Sequence, residues 1–394
     1  MIKAIVNGKL VFPEEIREGV LLMEGDRILA AGDCLVPEGA EILDAAGLYV
    51  GPGLFDQHNH GYNRCGQRID IADDVRGMAL AHLKHGTTSI TPGAGYTHTM
   101  QQFFDISDMC NEAMAKGDTN IVGIHFEGPF INPLHGANSQ LAWTFSEEGL
   151  EAILERGGKN LLHFTYAPEM PGAEIIEAAL KKRGIIADIG HTRSDPENIY
   201  RAVKEGAKIA THMYDAMGNY LGCNEKAFEM TGDAQESVSD VLLSIPGIYY
   251  ELICDSCCAH VKAANIRQTY RCAGEDYIIC ISDSTGFPRC LDPKDYPPED
   301  PRSASDLNWT EDGGLNGSVM TVAMSVKNFL KHTGCGIRVA FKAGATNSAK
   351  ALGLYDRLGS IHAGKTANLI FVDETFNVKR IFFRGNELSE VRTD

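Results

Sequence analysis

From Gly51 onward the chain alternates short apolar runs with segments whose apolar positions recur at helical spacing. The runs are "GLFDQHNH", "TTSITPGAG", "NIVGIHFEGPF", "LLHFTYAPE", "IIADIGHT", "KIATHMYD", "IYYELICDS" and "YIICISDST". They read as eight strands. Helical segments are predicted between them near Asp73 to Lys84, Met100 to Ala115, Glu147 to Glu155, Ala173 to Lys182, Pro196 to Glu205 and Ala263 to Arg271. Eight strand-helix repeats at this spacing predict a parallel (β/α)8 barrel over residues 51–354 in preference to an open doubly wound sheet. Ser194-Asp195-Pro196-Glu197 carries a capping-box pattern, with a Ser N-cap and a Glu three residues on, so "GHT" falls on a strand-to-helix loop.

The two ends have a different texture. Residues 1–50 hold short strands, with a hairpin around Glu24-Gly25-Asp26, and "RLGSIHAGKTANLIFVDETFNVKRIFFRGNEL" returns to the same pattern. The simplest packing joins residues 1–50 and 355–394 in a small β-sandwich domain beside the barrel. "GFPRCLDPKDYPPEDPRSASDLNWTEDGG" has no clear period and is expected to be a long loop, either a lid or disordered.

Composition narrows the function classes. A net charge of -17 and the lack of a long Lys/Arg cluster disfavour nucleic acid or an anionic membrane as partner, and favour a small-molecule substrate. No segment approaches the ~18 apolar residues a membrane span needs, and the N-terminus lacks a secretory pattern, so a cytoplasmic protein is expected. The 11 Cys are scattered and odd in number, which points to reduced thiols. Cys254, Cys257 and Cys258 lack a second ligand pair at metal spacing and read as structural.

In a barrel of this kind chemistry gathers at the C-terminal ends of the strands. Those ends supply His58 and His60, Glu127, His191, His212 and Asp283. His58 and His60, two residues apart on a strand, share a face. Four imidazoles and two carboxylates on one rim suit Zn, Fe, Mn or Co and are too nitrogen-rich for Ca or Mg. One or two such divalent ions are the expected cofactor. His82, His85, His98, His125, His163, His332 and His362 fall on helices, early in strands or on loops away from the rim, and are assigned no role.

With those residues in place, the chain resembles the amidohydrolase superfamily and, within it, the N-acetylglucosamine-6-phosphate deacetylases. "GPGLFDQHNHG", "GIHFEGPFINP", "GHTRSDPENIYRAVKEGAKIATHMYDAM", "ISDST" and "LGSIHAGKTANLIFVD" carry the resemblance, "HFEGPF" and "THMYDAM" most specifically. It implies Glu127, His191 and His212 as main metal ligands, His58 and His60 as the pair that helps hold a second ion, Asp283 as the catalytic aspartate, and a homodimer. Substrate contacts carried over are His135, Asn138, Asp215, Ala216 and His260. Here the sequence departs from the family: His135-Gly136-Ala137-Asn138 replaces Lys-Gly-Ala-His, and Asp215-Ala216-Met217 replaces Asn-Ala-Met. The phosphate-binding Arg has no match in a window that instead holds Glu225, Glu229 and Asp233, while Arg193 and Arg289 are candidate replacements. The expected activity is removal of an acetyl group from an N-acetylated, sugar-like substrate. Hydrolysis of another amide, such as an N-acyl amino acid or a cyclic ureide, is the alternative, followed by a catalytically silent binding homologue.

Overall fold

The computed structural model describes residues 1–220 and 236–392. Its central sheet has eight parallel strands in one continuous order: β1 (Leu54–Asn59), β2 (Thr87–Gly95), β3 (Ile124–Glu127), β4 (Leu161–Tyr166), β5 (Ile186–Ile189), β6 (Ala207–Ala210), β7 (Tyr249–Ile253) and β8 (Ile278–Ile281). These are the eight apolar runs. The sheet closes at its C-terminal end, where the Asp283 N–H donates to the His58 carbonyl at 3.0 Å and the His60 N–H to the Ser284 carbonyl at 2.6 Å.

Strand alternation sorts the side chains between two environments. On β3, Phe126 faces out and meets Phe103 of the helix Met100–Lys116 edge-on at 4.9 Å, while His125 and Glu127 take the alternate positions. Burying such aromatic pairs outside the sheet holds helix to strand, each side chain contributing about 1.5–3 kcal/mol. Inside the barrel the filling is polar: Gln57, Thr91, His125, His163, Thr165, Asp188, Thr211 and Glu251 are all buried. A buried polar layer needs internal partners. It finds them in bonds such as Thr165 to Thr211 and His163 to Asp188.

The ends of the chain form one shared sheet. Its strands run in the order Asn386–Glu387, Val378–Phe383, Leu369–Val372, Tyr49–Pro52, Ile2–Val11, Ile16–Glu24, Arg27–Gly32, with Glu41–Asp44 also paired to Ile2–Val11. Tyr49–Pro52 runs antiparallel to Leu369–Val372, so the last N-terminal strand is the seam between the two halves. No described helix is long and apolar enough to cross a membrane.

Three local features differ from the sequence reading. The helix Pro196–Glu205 is capped by Asp195, whose carboxylate accepts the Asn198 N–H at 2.9 Å, so the cap lies one residue beyond the expected Ser194. Both residues suit an N-cap, but the fixed φ of Pro196 places the first turn directly after Asp195. A hairpin, Gly61–Arg64 and Gln67–Asp70, intervenes before the first barrel helix, turning on Cys65 and Gly66, both at positive φ. That is the two-residue turn whose twist matches paired strands. The long Pro-rich stretch is a loop, as read, but it carries short helical turns at Pro293–Asp295 and Pro301–Ser303, and near its end Leu307–Trp309 pairs with Leu315–Ser318.

Candidate metal centre and active site

The six strand-end residues meet. His191 Nε2 and His212 Nε2 lie 2.8 and 2.9 Å from Glu127 Oε1, and His60 Nε2 lies 3.1 Å from Glu127 Oε2. His58 Nε2 is 3.3 Å from Oε1 and 3.1 Å from His60 Nε2. Asp283 Oδ1 stands 3.7 and 3.6 Å from His58 and His60. The two oxygens of Glu127 thus divide the site, Oε1 toward His191, His212 and His58, Oε2 toward His60.

The outer nitrogens decide what the inner ones can do. His58 Nδ1 faces Glu251 Oε2 at 3.0 Å, His60 Nδ1 the Gly93 carbonyl at 2.6 Å, His191 Nδ1 the His135 carbonyl at 2.8 Å and His212 Nδ1 the Asp215 carbonyl at 3.2 Å. Each Nδ1 meets an acceptor and therefore carries the proton, which leaves four Nε2 lone pairs turned toward one another and a carboxylate. Nitrogens 3.0 Å apart, as in His191 and His212, repel unless a cation sits among them. The donor set fits a divalent transition metal with its imidazole tautomers preset.

Electrostatics point the same way. Burial opposes the Glu127 charge, but His60, His191 and His58 overcome it and hold the carboxyl well below the usual range. Burial likewise opposes protonation of His212, and Glu127 overcomes it, raising the imidazole to about 9. The centre demands positive charge. Its backbone is strained to make it: His191, His212 and Asp283 have φ of 48, 25 and 45°, a region disfavoured for residues with a Cβ and most often kept where surroundings enforce it. Gly136, at φ 115°, passes so close to His191 that a Cβ there would lie 2.6 Å from Nδ1.

Beneath the rim, Glu251 on β7 is fully buried and accepts from His58 Nδ1, from Gln57 Nε2 at 2.7 Å and from the His212 backbone N–H at 3.3 Å. His125, His163 and Asp188 form a further buried cluster. Their rings are stacked, with centroids 4.0 Å apart and planes 5° from parallel, so the lone pairs run side by side rather than converging. Asp188 instead accepts from His163 at 2.6 Å. The cluster supports the floor on which the His58 ring stands, 4.6 Å from His125.

Above the centre opens a cavity lined by His60, Glu127, His191, His212 and Asp283 at its floor. Of the carried-over substrate contacts, Asp215 lines it, and His135, Asn138, Ala216 and His260 do not. His135 turns its carbonyl to His191, Asn138 is exposed, and His260 is buried 3.2 Å from Asp255. Arg289 donates to the Ser305 carbonyl away from the cavity, while Glu225, Glu229 and Asp233 lie outside the described residues. Asp70 on the hairpin goes unread in the sequence, His98 reads there as lying away from the rim yet lines the cavity, and Leu315 to Gly317, part of the "LNGSVMT" segment that also carries the family resemblance, lines it too. The "CG" turn was a signal for the hairpin; His98 had none.

Comparison with known proteins follows this geometry. The sequence model of the amidohydrolase family matches residues 49–388. The chain belongs to the amidohydrolase family. This amidohydrolase is 27% identical over 367 residues to the N-acetylglucosamine-6-phosphate deacetylase of Bacillus subtilis (strain 168), covering 89% of the chain and 87% of the relative. To the enzyme of that name from Lysinibacillus sphaericus it is 26% identical over 367 residues, covering 89% and 88%. Among solved structures, N-acetylglucosamine-6-phosphate deacetylase from Pasteurella multocida superposes with a TM-score of 0.84 at 24% identity, covering 98% of this chain and all (100%) of that one. That from Thermotoga maritima gives 0.80 at 22%, with 100% of both chains covered. These superpositions establish that the amidohydrolase shares their fold.

Proposed function

We propose that this amidohydrolase removes the acetyl group from an N-acetylated, sugar-like small molecule, releasing acetate and an amine. The observation that carries the reading is the convergence of four imidazole Nε2 atoms and the Glu127 carboxylate beside Asp283 at the floor of the cavity. The deacetylase relatives supply the substrate class.

In this reading His191, His212 and Glu127 hold a divalent ion, and His58 and His60 with Glu127 hold a second when one is present. Such an ion supplies Lewis acidity to water and to the amide carbonyl. The remaining work belongs to the chain. Asp283, with Oδ1 facing the His58–His60 side, takes a proton from the attacking water and returns it to the nitrogen of the leaving amine. Amide cleavage needs that second transfer because an amide anion is too poor a leaving group. Tyr96 donates to the Ala137 carbonyl at 2.7 Å and packs edge-on against His191 at 4.7 Å, holding the 136–137 loop over the centre. A homodimer in the cytoplasm completes the reading. Every described cysteine is unpaired, in keeping with a reducing compartment.

The test is elemental analysis of purified protein together with acetate release from N-acetyl sugars. The expected result is at least one Zn, Fe, Mn or Co per chain, lost in His191→Ala and His212→Ala along with turnover. Active protein free of these metals would overturn the proposal.

A further inference from the structure

The cavity is built asymmetrically. The metal-ligating groups form its floor. Asp70 and His98, delivered by the hairpin and by the loop after β2, stand on the wall with Asp215. None of the three is needed to hold an ion, and two were not legible in the sequence. What they offer a ligand follows from their bonds.

Asp70 uses Oδ1 to accept the Ala72 N–H at 2.9 Å, which fixes the carboxylate plane on the hairpin's end. Gly286 makes this approach possible, since a Cβ there would fall 2.4 Å from the Asp70 Cα. His98 Nδ1 lies 3.0 Å from the Gly95 nitrogen and 3.1 Å from the Gly95 carbonyl oxygen, so either tautomer of the ring finds a partner there and the imidazole is held in place on the wall. Burial first, then the nearby His60, lowers its pKa, which keeps the ring neutral. Asp70 and Asp215 thus offer carboxylate oxygens, and His98 offers a neutral ring.

We propose that Asp70 and His98 read the part of the substrate beyond the scissile amide, and that with Asp215 they select a group that donates hydrogen bonds, a hydroxyl or an ammonium, over an anionic ester. A phosphate dianion needs charge-assisted donors and is opposed by a nearby carboxylate, whereas an ammonium gains from each one. A neutral imidazole suits a sugar hydroxyl, which donates and accepts, and supplies no cation. The inference rests on the deacetylase reading and specifies its substrate.

The experiment varies only the 6-substituent of one sugar: N-acetylglucosamine, its 6-phosphate and its 6-amino-6-deoxy analogue, with metal-loaded enzyme and acetate release as readout. Wild type is expected to favour the 6-amino and 6-hydroxy compounds over the phosphate by about tenfold in kcat/KM, the size expected of charge-assisted contacts on a half-buried wall. Asp70→Asn should narrow the span from both sides, lowering the amino compound and raising the phosphate, through KM with kcat within a few-fold. His98→Gln should preserve more binding than His98→Ala, again in KM. Metal content and melting temperature equal to wild type show that both variants are folded. A preference for the phosphate ester, or a ratio that Asp70→Asn leaves unmoved, overturns this inference and leaves deacetylation standing. No acetate from any of the three overturns the deacetylase reading beneath it.

Discussion

Replacing Glu251 by Gln tests whether the centre is held by its ligands alone or by the groups behind them. Glu251 is fully buried and its two oxygens serve three donors: His58 Nδ1 at 3.0 Å, Gln57 Nε2 at 2.7 Å and the His212 N–H at 3.3 Å. Glutamine has the same shape but one oxygen and one NH2. With its NH2 toward His58 the amide leaves both the His58 Nδ1–H and the His212 N–H without that acceptor, and turned the other way it faces Gln57 Nε2, whose own amide must flip to receive it. An orphaned buried donor costs about 1–3 kcal/mol. If His58 is the loser, its ring drifts to the other tautomer and the lone pair leaves the metal side. Loss of such outer partners typically weakens metal binding by about 10–100-fold. That is about 1.4–2.7 kcal/mol, in the same range as the orphaned bond. The expected result is a metal dissociation constant raised about 10–100-fold in chelator competition, with the metal-free variant still cooperatively folded. Metal affinity equal to wild type would refute the reasoning, whatever happens to stability, because Glu251 would then be a packing residue that His58 does not need.

Other outcomes can be checked alongside. Asp283→Asn should keep its metal and lose about 10²–10⁴ in kcat, read by steady-state acetate release, since a positioned acid-base group is removed and nothing else moves. Gly136→Ala should cost more than a tenth-scale loss of activity, roughly tenfold or beyond, because its methyl would sit 2.6 Å from His191 Nδ1 at a φ of 115°. Chelator competition should show weaker metal retention in the same variant. Asp255 should make stability fall in acid. Burial raises its pKa, but the His260 side chain and the backbone N–H groups of residues 259 and 260 win and lower it from 3.8 to about 2. A depressed pKa contributes stability that is complete above pH ~4 and lost as pH falls through ~2, on the order of 2 kcal/mol for a shift of about two units. Metal-free wild type and Asp255→Asn should therefore differ in melting temperature at pH 6 and converge as the pH approaches 2; a constant difference would show that the charge is not the source.

Some of this protein could be read from its residues in order. The eight apolar runs, the eight strands and the six rim residues depend on local quantities, period and distance from the strand end, which a one-dimensional pattern carries. The same parity puts His125 and Glu127 on one face of β3, but depth separates them: each two-residue step moves a side chain ~6.6 Å along the strand. His125 therefore lies under the centre and Glu127 within it.

What the order of residues alone did not decide was which groups from distant segments share the space above and below that rim. Glu251 is one of two acids in "IYYELICDS", and only the closed barrel shows that its partner is His58 on β1. Asp70, His98 and the Leu315 to Gly317 segment reach one cavity from three loops whose paths depend on packing, Asp70 through a hairpin resting on Gly286. His135, Asn138, Ala216 and His260 are motif neighbours of the site that the same packing leaves off its wall. The rim follows from strand periodicity, which is a local property of the backbone. The specificity wall follows from loop packing, where contact is set by three-dimensional closure and sequence separation carries no information about it.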